Sequence, residues 1–356
     1  MWNTPQRVSV VVDTGSHFTA FPCKGCLGCG SVPYFNLSSS STGHQLGCDE
    51  CQSTRSCASG KCQFNQSYYE GSTLFPTHML VAGMHAAYQV IDRFYTGVEV
   101  FAEIPAANAD LAIDFLFGCH SSVVDGWFTP QLADGIMGMS MSHFSLVGAL
   151  HKAGAIAHNN FALCFNEEGG VMSLGGVDTR LHDSPMQFVP LLTQNTGWFT
   201  VSLKEIHVGG EKLNVDASNY NSGKGTIVDS GATGTYLNNR VDNEFRAKWH
   251  AAAVQNLGNS APIYYHYYMQ ILTGKSMALT AAQVAALPSI TYIFENGVEV
   301  VVRPESYMEK TGTNKYTLGI HLDERSGNVL GANFMDRRDV FFDEENGRVG
   351  FAESSC

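Results

Sequence analysis

Short apolar runs separated by turn-forming residues dominate the pattern of hydrophobic and polar positions along the chain. Runs such as Val8–Val12 and Trp198–Leu203 are rich in β-branched and aromatic residues, as strands are. The run Val340–Phe351 contains an Asn-Gly pair between two such stretches and predicts a hairpin. Helical spacing of apolar residues is confined to Phe144–Ala153 and Asn243–Gln255. The pattern therefore predicts an all-β protein with few helices.

One motif occurs twice along the chain and predicts two related halves. A β-branched run ends in Asp13-Thr14-Gly15-Ser16, and a similar run ends in Asp229-Ser230-Gly231. Each copy is followed later by two apolar residues and a glycine, at Gly135–Gly138 and at Asn328–Gly331. A chain of 356 residues is also too long for one ordinary core. We therefore predict two lobes, 1–187 and 188–356, divided where Pro185 and Pro190 interrupt regular structure.

Composition supports a β-rich protein and narrows the classes of partner. Only 15% of residues are charged, and 33 acidic against 21 basic residues give a formal net charge of −12. Because the chain has no run of Lys or Arg, nucleic-acid binding is not expected. The negative electrostatic field of the chain favours a cationic substrate instead. No apolar stretch reaches the length of about 18 residues that a membrane span needs, so none is expected in this chain. No secretory leader is recognisable, and we expect any leader or anchor to lie outside this sequence.

Ten cysteines indicate either a disulfide framework or a metal site. Seven of them lie between Cys23 and Cys62, and their even number is typical of a protein oxidised in a secretory compartment. A zinc site would draw, together with His44, on the closely spaced thiols Cys23, Cys26, Cys29, Cys48 and Cys51. That interpretation leaves Cys119, Cys164 and Cys356 unexplained. The residues alone therefore favour disulfides and leave zinc open.

The two Asp motifs, their glycine signals and the segment Tyr68-Tyr69-Glu70-Gly71-Ser72 together resemble the pepsin-like aspartic proteases. The closing run Val329–Ala352 is similar to the C-terminal strand pair of that family. The resemblance covers essentially the whole chain. It implies an all-β, bilobal fold, with two β-barrel-like lobes and the active site in the cleft between them. It also implies a monomer that needs no cofactor and no metal and acts on peptide or protein substrates.

The resemblance implies that Asp13 and Asp229 are the catalytic residues. Two carboxylates held close together cannot both ionise at low cost, so they share one proton, and aspartic proteases are the standard example. The ionised member takes a proton from water while the protonated member polarises the peptide carbonyl. Gly15 and Gly231 are expected to let backbone N–H groups approach the carboxylates. Hydroxyls expected to orient the carboxylates belong to Thr14, Ser16, Ser230 and Thr233.

His17 places a titratable imidazole beside the first motif. An influence on catalysis and a solvated loop histidine are both consistent with that position.

Residues 64–76 resemble the flap hairpin of the same family. Tyr68 then matches the tyrosine that closes over the substrate and excludes water. Glu70, Gly71 and Ser72 are expected to contact the substrate, and Glu70 to pair with a basic residue on its non-primed side. The alternative for this segment is an ordinary surface hairpin.

The cysteine-rich segment 23–62 resembles the nepenthesin-type insertion, most closely that of the plasmepsin V group. This resemblance implies that the cysteines form disulfides and do not bind zinc. The implied pairs are Cys23–Cys26, Cys29–Cys119, Cys48–Cys62, Cys51–Cys57 and Cys164–Cys356. It further implies a processing protease of the secretory pathway, in the endoplasmic reticulum or outside the cell, that prefers Arg-x-Leu-like motifs. Because Ser31–Leu37 lacks an acid that this group uses to hold the arginine, the arginine preference is expected to be looser.

Two alternatives to the processing protease follow from the same residues. One is a broad-specificity secreted digestive protease of the nepenthesin type. The other is a catalytically inactive binding protein with the same fold.

Overall fold

The computed structural model describes residues 6–30, 33–51, 57–58, 60–69, 82–97, 112–124, 133–192, 197–257 and 275–356. Strands predominate over helices, as the all-β prediction expects. The chain forms two compact units. The first takes the described residues from 6 to Asn160 together with Leu174–Gly176, and the second takes Phe161–Ser173 and Val177–Cys356.

An eight-stranded sheet forms the first unit, in the order β1-β8-β2-β7-β6-β5-β4 with β3 paired to β6. Aromatic rings fill its core; Phe21, for example, stacks on Phe117 with the ring centroids 4.5 Å apart. Its elements are β1 Val10–Asp13, β2 Ala20–Leu27, β3 His44–Gln45, β4 Cys57–Ala58, β5 Lys61–Tyr69, β6 Ala82–Phe94, β7 Ile113–Val124, β8 Gly135–Gly138 and α1 Leu146–Lys152.

Four sheets build the described part of the second unit, in the orders β10-β9-β24-β25-β11, β12-β15-β23-β16-β22, β14-β13-β18-β19 and β17-β21-β20. The strands are β9 Asn160–Asn166, β10 Gly169–Leu174, β11 Gln187–Pro190, β12 Thr200–Val201, β13 Leu203–Val208, β14 Glu211–Lys212, β15 Thr226–Val228, β16 Thr235–Asn238, β17 Met277–Ala278, β18 Ile290–Phe294, β19 Glu299–Val302, β20 Met308–Gly312, β21 Lys315–Leu318, β22 Ile320–Glu324, β23 Asn328–Leu330, β24 Arg338–Asp343 and β25 Arg348–Glu353. The helices are α2 Ala217–Tyr220, α3 Asp242–Leu257, α4 Ala281–Ala285, α5 Pro304–Tyr307 and α6 Ala332–Met335.

The local predictions agree with these elements. Helices α1 and α3 occupy the two segments with helical spacing, and the predicted C-terminal hairpin is the antiparallel pair of β24 and β25. No helix within the described ranges combines the length and the apolar character that a membrane crossing requires.

The two units do not divide at the predicted residue 187. Strand β11 pairs antiparallel with β25, and β9 lies beside β24 in the same sheet. Residues on both sides of position 187 therefore belong to one sheet with the C-terminal hairpin. The prolines end a strand at Pro190 but do not mark a break between units.

All ten cysteines form disulfides, and only the Cys164–Cys356 pair is as the resemblance implied. The other four expected pairs are corrected by the structure. Their eight cysteines instead form Cys23–Cys119, Cys26–Cys29, Cys48–Cys57 and Cys51–Cys62.

Strand register explains the corrected pairing. Strands β2 and β7 run parallel with Phe21 opposite Cys119, which leaves the Cα atoms of Cys23 and Cys119 5.2 Å apart. A turn at Gly28, where φ is +79°, returns the chain so that Cys29 bonds Cys26. Cys57 and Cys62 lie opposite each other in the β4–β5 ladder, and each bonds a different cysteine of segment 48–51. Spacing alone cannot choose among the three pairings of four cysteines.

Candidate functional site

The first Asp motif lies at the end of a parallel strand pair, in which β1 is half-buried and β8 is buried. Strand β1 runs parallel to β8, with Val11 opposite Ile136 and Asp13 opposite Gly138. The N–H of Gly15 donates to Asp13 Oδ1 at 2.9 Å, so the carboxylate is held by the turn that follows it. Only 7% of Asp13 is exposed.

The second Asp motif repeats this arrangement in the second unit. Strand β15 runs parallel to β23, with Ile227 opposite Val329, and Asp229 follows directly. The Asp229 N–H donates to the carbonyl of Leu330 at 2.9 Å. The N–H of Gly231 donates to Asp229 Oδ1, again at 2.9 Å. Asp229 is half-buried.

Both loops require the glycine at the end of the paired strand, which is the last residue of β8 in the first unit and the residue after β23 in the second. A Cβ at Gly138 would lie 2.5 Å from the backbone N of Phe18, and one at Gly331 would lie 2.0 Å from the carbonyl oxygen of Gly234. Real Cβ atoms do not approach backbone so closely, so only glycine lets the strand end pass beneath each Asp loop. The apolar-apolar-Gly signals of the sequence are therefore parts of the two Asp loops.

The predicted supporting hydroxyls differ in exposure. Thr14 is fully buried, and Ser16 is buried. Ser230 is half-buried, whereas Thr233 is exposed. Within the described residues, Ser16 Oγ makes no hydrogen bond, while the Ser16 carbonyl accepts from the Ser140 N–H at 3.1 Å. Their assignment to carboxylate orientation stays a prediction.

His17 lies next to the first motif and is half-buried. Its Nδ1 shares a hydrogen bond with Ser140 Oγ. Burial lowers the pKa of the His17 imidazole, and the carboxylate of Asp13 opposes that shift. Sequence reasoning identified His17 but not Ser140, which is brought to it by the crossing of β8 under the loop.

Strands β5 and β6 pair antiparallel, and β5 includes the first part of segment 64–76, which the resemblance assigns to the flap. Tyr68 pairs with Gly83 and Tyr69 with Ala82 at the described end of this ladder. The Tyr68 side chain and residues Glu70, Gly71 and Ser72 lie outside the described residues. Their substrate contacts therefore remain predictions.

The arrangement supplies two carboxylates, each fixed in an Asp-x-Gly turn by a backbone donor and each backed by a parallel strand pair. Such a frame holds a carboxylate in one orientation as its protonation state changes. That is the requirement for a general acid or a general base.

Comparisons with known proteins identify related sequences across the chain. The family profile described as eukaryotic aspartyl protease matches residues 110–354, and the profile described as xylanase inhibitor N-terminal matches residues 2–176. The chain is 26% identical over 380 residues to Aspartic protease 5 of Toxoplasma gondii, covering 99% of this chain and 35% of that protein. It is 26% identical over 375 residues to Aspartic proteinase 39 of Arabidopsis thaliana, covering 99% and 72%.

A third relative is plasmepsin V of Plasmodium falciparum isolate 3D7. The identity is 22% over 432 residues, covering 99% of this chain and 69% of that protein. The chain thus spans little more than a third of the Toxoplasma protein and about seven tenths of the other two.

Proposed function

Because the chain belongs to the eukaryotic aspartyl protease family, a family of aspartic-type endopeptidases, we propose that Asp13 and Asp229 together hydrolyse peptide bonds. The observation that carries this proposal is the repeated frame: both carboxylates accept from the N–H of the glycine two residues later, at 2.9 Å in each loop. A turn residue that merely caps its own loop would not require the same parallel strand pair and the same crossing glycine in both units.

In the proposed mechanism the two carboxyl groups share one proton and titrate as a pair. The ionised member removes a proton from the attacking water, and the protonated member donates toward the substrate carbonyl. The tetrahedral intermediate then collapses with transfer of a proton to the leaving nitrogen. Neither step needs a cofactor, since water and the two side chains supply every proton that moves.

The catalytic assignment is tested by replacing each carboxylate with its amide. Asp13→Asn and Asp229→Asn should each abolish cleavage of a mixed peptide library while leaving the unfolding midpoint near that of the parent. Asp114→Asn is the matched control, because the Asp114 side chain is 76% exposed and should leave turnover unchanged. Normal turnover by either amide variant would contradict the mechanism.

The finer proposal is a secretory-pathway processing protease that prefers a basic residue on the non-primed side of the scissile bond. Five disulfides support an oxidising compartment. The similarity to plasmepsin V supports an Arg-x-Leu-like motif, with Glu70 as the partner of the arginine. A carboxylate–guanidinium pair is bidentate, so it selects Arg over Lys by geometry as well as by charge.

Specificity is tested by profiling the parent and Glu70→Gln on peptides that carry Arg, Lys or Leu at the position two residues before the scissile-side Leu. We expect the parent to prefer Arg and the variant to lose that preference, by about 30-fold or more in kcat/KM. Equal profiles for the two proteins would exclude the role of Glu70. A parent without any Arg preference would indicate the broad digestive protease.

The match of residues 2–176 to the xylanase inhibitor profile favours one further candidate, an inactive binding protein of the same fold. Such a protein would leave the parent and both amide variants equally inactive on every peptide. The intact frame of both Asp loops favours the enzyme.

A further inference from the structure

His17 connects the first Asp loop to the segment that crosses beneath it. The side chain bonds Ser140 Oγ, and the backbone N–H of Ser140 donates to the Ser16 carbonyl at 3.1 Å. Ser140 is 1% exposed and lies two residues after the crossing glycine, Gly138. One side-chain bond and one backbone bond therefore join the same two segments next to Asp13.

The corresponding positions of the second unit hold no ionisable group. Thr233 and Asn333 occupy the places of His17 and Ser140, and the Asn333 N–H donates to the Thr233 carbonyl at 3.2 Å. The Asn333 amide accepts from Thr235 Oγ1 at 2.7 Å and donates to the Gly319 carbonyl at 2.7 Å. Hydrogen bonds therefore join each Asp loop to the segment beneath it, but only in the first loop is one of the bonding side chains, His17, able to gain a proton.

The described side chains include few other charged groups on the elements packed around the imidazole. Asp13 on β1 contributes the opposing carboxylate. Phe18 stacks on Phe64 of β5 and on Phe144. Of the ionisable residues in these segments whose side chains are described, Lys61 is half-buried and His143 is exposed. Asp134, at the far end of β8, is bonded by the N–H and hydroxyl of Ser9.

We propose that His17 is a positioning residue for Asp13: the neutral imidazole braces the loop through Ser140, and the imidazolium formed in acid holds Asp13 ionised to lower pH. This inference rests on the proposed function. A positive charge near a carboxylate favours its charged form, so His17 should extend activity on the acidic side. Because burial lowers the pKa of His17, the imidazole is neutral near pH 7 and the alkaline side should be unaffected.

The first test measures kcat/KM against pH for the parent, His17→Asn and Ser140→Ala. His17→Asn keeps a short hydrogen-bonding side chain and removes the charge, so the acidic limb should move up by about 0.5 pH unit or more. Ser140→Ala keeps the imidazole and removes the brace, so kcat should fall at all pH values with the limb in place. A His17→Asn profile that superimposes on that of the parent would overturn the proposal.

The second test does not depend on activity. The His17 pKa, followed by NMR titration of the ring protons, should fall in Asp13→Asn, because that variant removes the carboxylate that raises it. An unchanged His17 pKa would reject the coupling. The proposed function fails separately, if Asp13→Asn or Asp229→Asn still cleaves peptides or if the parent cleaves none.

Discussion

The Asp13 loop and the Asp229 loop share one backbone frame but have different surroundings. In both units the Asp stands at the end of a strand that runs parallel to a second strand, β8 or β23, with a glycine at its end. The next strand along the chain pairs antiparallel with that second strand, at Ala20–Ile136 and at Tyr236–Val329. The first unit carries four of the five disulfides, and the second carries one. The frame around the carboxylate is thus repeated, while the means of stabilising each unit differ.

The two units also differ at the first residue of the strand that passes beneath the Asp loop, which is β8 in the first unit and β23 in the second. Gly135 lies where a Cβ would be 2.5 Å from the Ala20 carbonyl oxygen, so this strand packs directly on β2. At the corresponding place Asn328 is fully buried and donates to the Tyr220 carbonyl and to Thr226 Oγ1. The first unit is packed at this position by direct backbone contact, and the second is held there by side-chain hydrogen bonds. Substitution at the two positions should therefore change stability by different amounts.

The largest expected effect concerns the long-range disulfides of the two units. Cys23–Cys119 joins residues 96 positions apart, and Cys164–Cys356 joins residues 192 apart. Replacing either pair by serine should lower the free energy of unfolding of its unit by ~5 kcal/mol, because the unfolded chain regains loop entropy. Urea unfolding of each double variant measures the loss.

Cys26→Ser with Cys29→Ser is the control, since this bond spans three positions and should cost only ~2 kcal/mol. A loss as large as that for Cys23 and Cys119 would instead support the pairing Cys29–Cys119. Peptide mapping without reduction decides between the two directly.

Replacing the glycine beneath each Asp loop, Gly138 or Gly331, should have the next largest effect. The loss of stability should be similar in the two units. Gly138→Ala and Gly331→Ala place a methyl group within 2.5 Å of backbone atoms, so each should lower the free energy of unfolding by about 3 kcal/mol. Gly312→Ala is the matched control, because its Cβ would lie 3.7 Å from the Lys315 side chain. If alanine were tolerated at Gly331 but not at Gly138, the two frames would not be equivalent.

The smallest effect should fall on the second unit alone. Asn328→Ala removes the oxygen that accepts from the Asn238 N–H at 2.9 Å and leaves that buried donor unpaired, at a cost of about 2 kcal/mol in unfolding free energy. Asn296→Ala, which removes one exposed bond to the Phe188 carbonyl, should change stability by less than ~0.5 kcal/mol. Thermal unfolding of both variants measures the difference. Equal losses would show that burial of Asn328 contributes nothing.

Much of the candidate site was predictable because its signals are local. The β-branched runs before Asp13 and Asp229 form strands, and the glycine two residues after each Asp donates to the carboxylate as expected. The partner of His17 was not predictable. Ser140 is distant in the sequence and reaches His17 only because β8 passes under the loop.

The sequence by itself determined the strand-rich class and the duplicated Asp motifs, and it favoured an oxidised state of the cysteines. These depend on residue type and short-range order, which a linear pattern records. Tertiary structure decided which cysteines bond, where the two units divide and which group meets His17. Each of these depends on strand register, and register is set by pairing between segments far apart in the chain. A shift of one residue in the β4–β5 ladder would separate Cys57 from Cys62 while leaving every local signal unchanged.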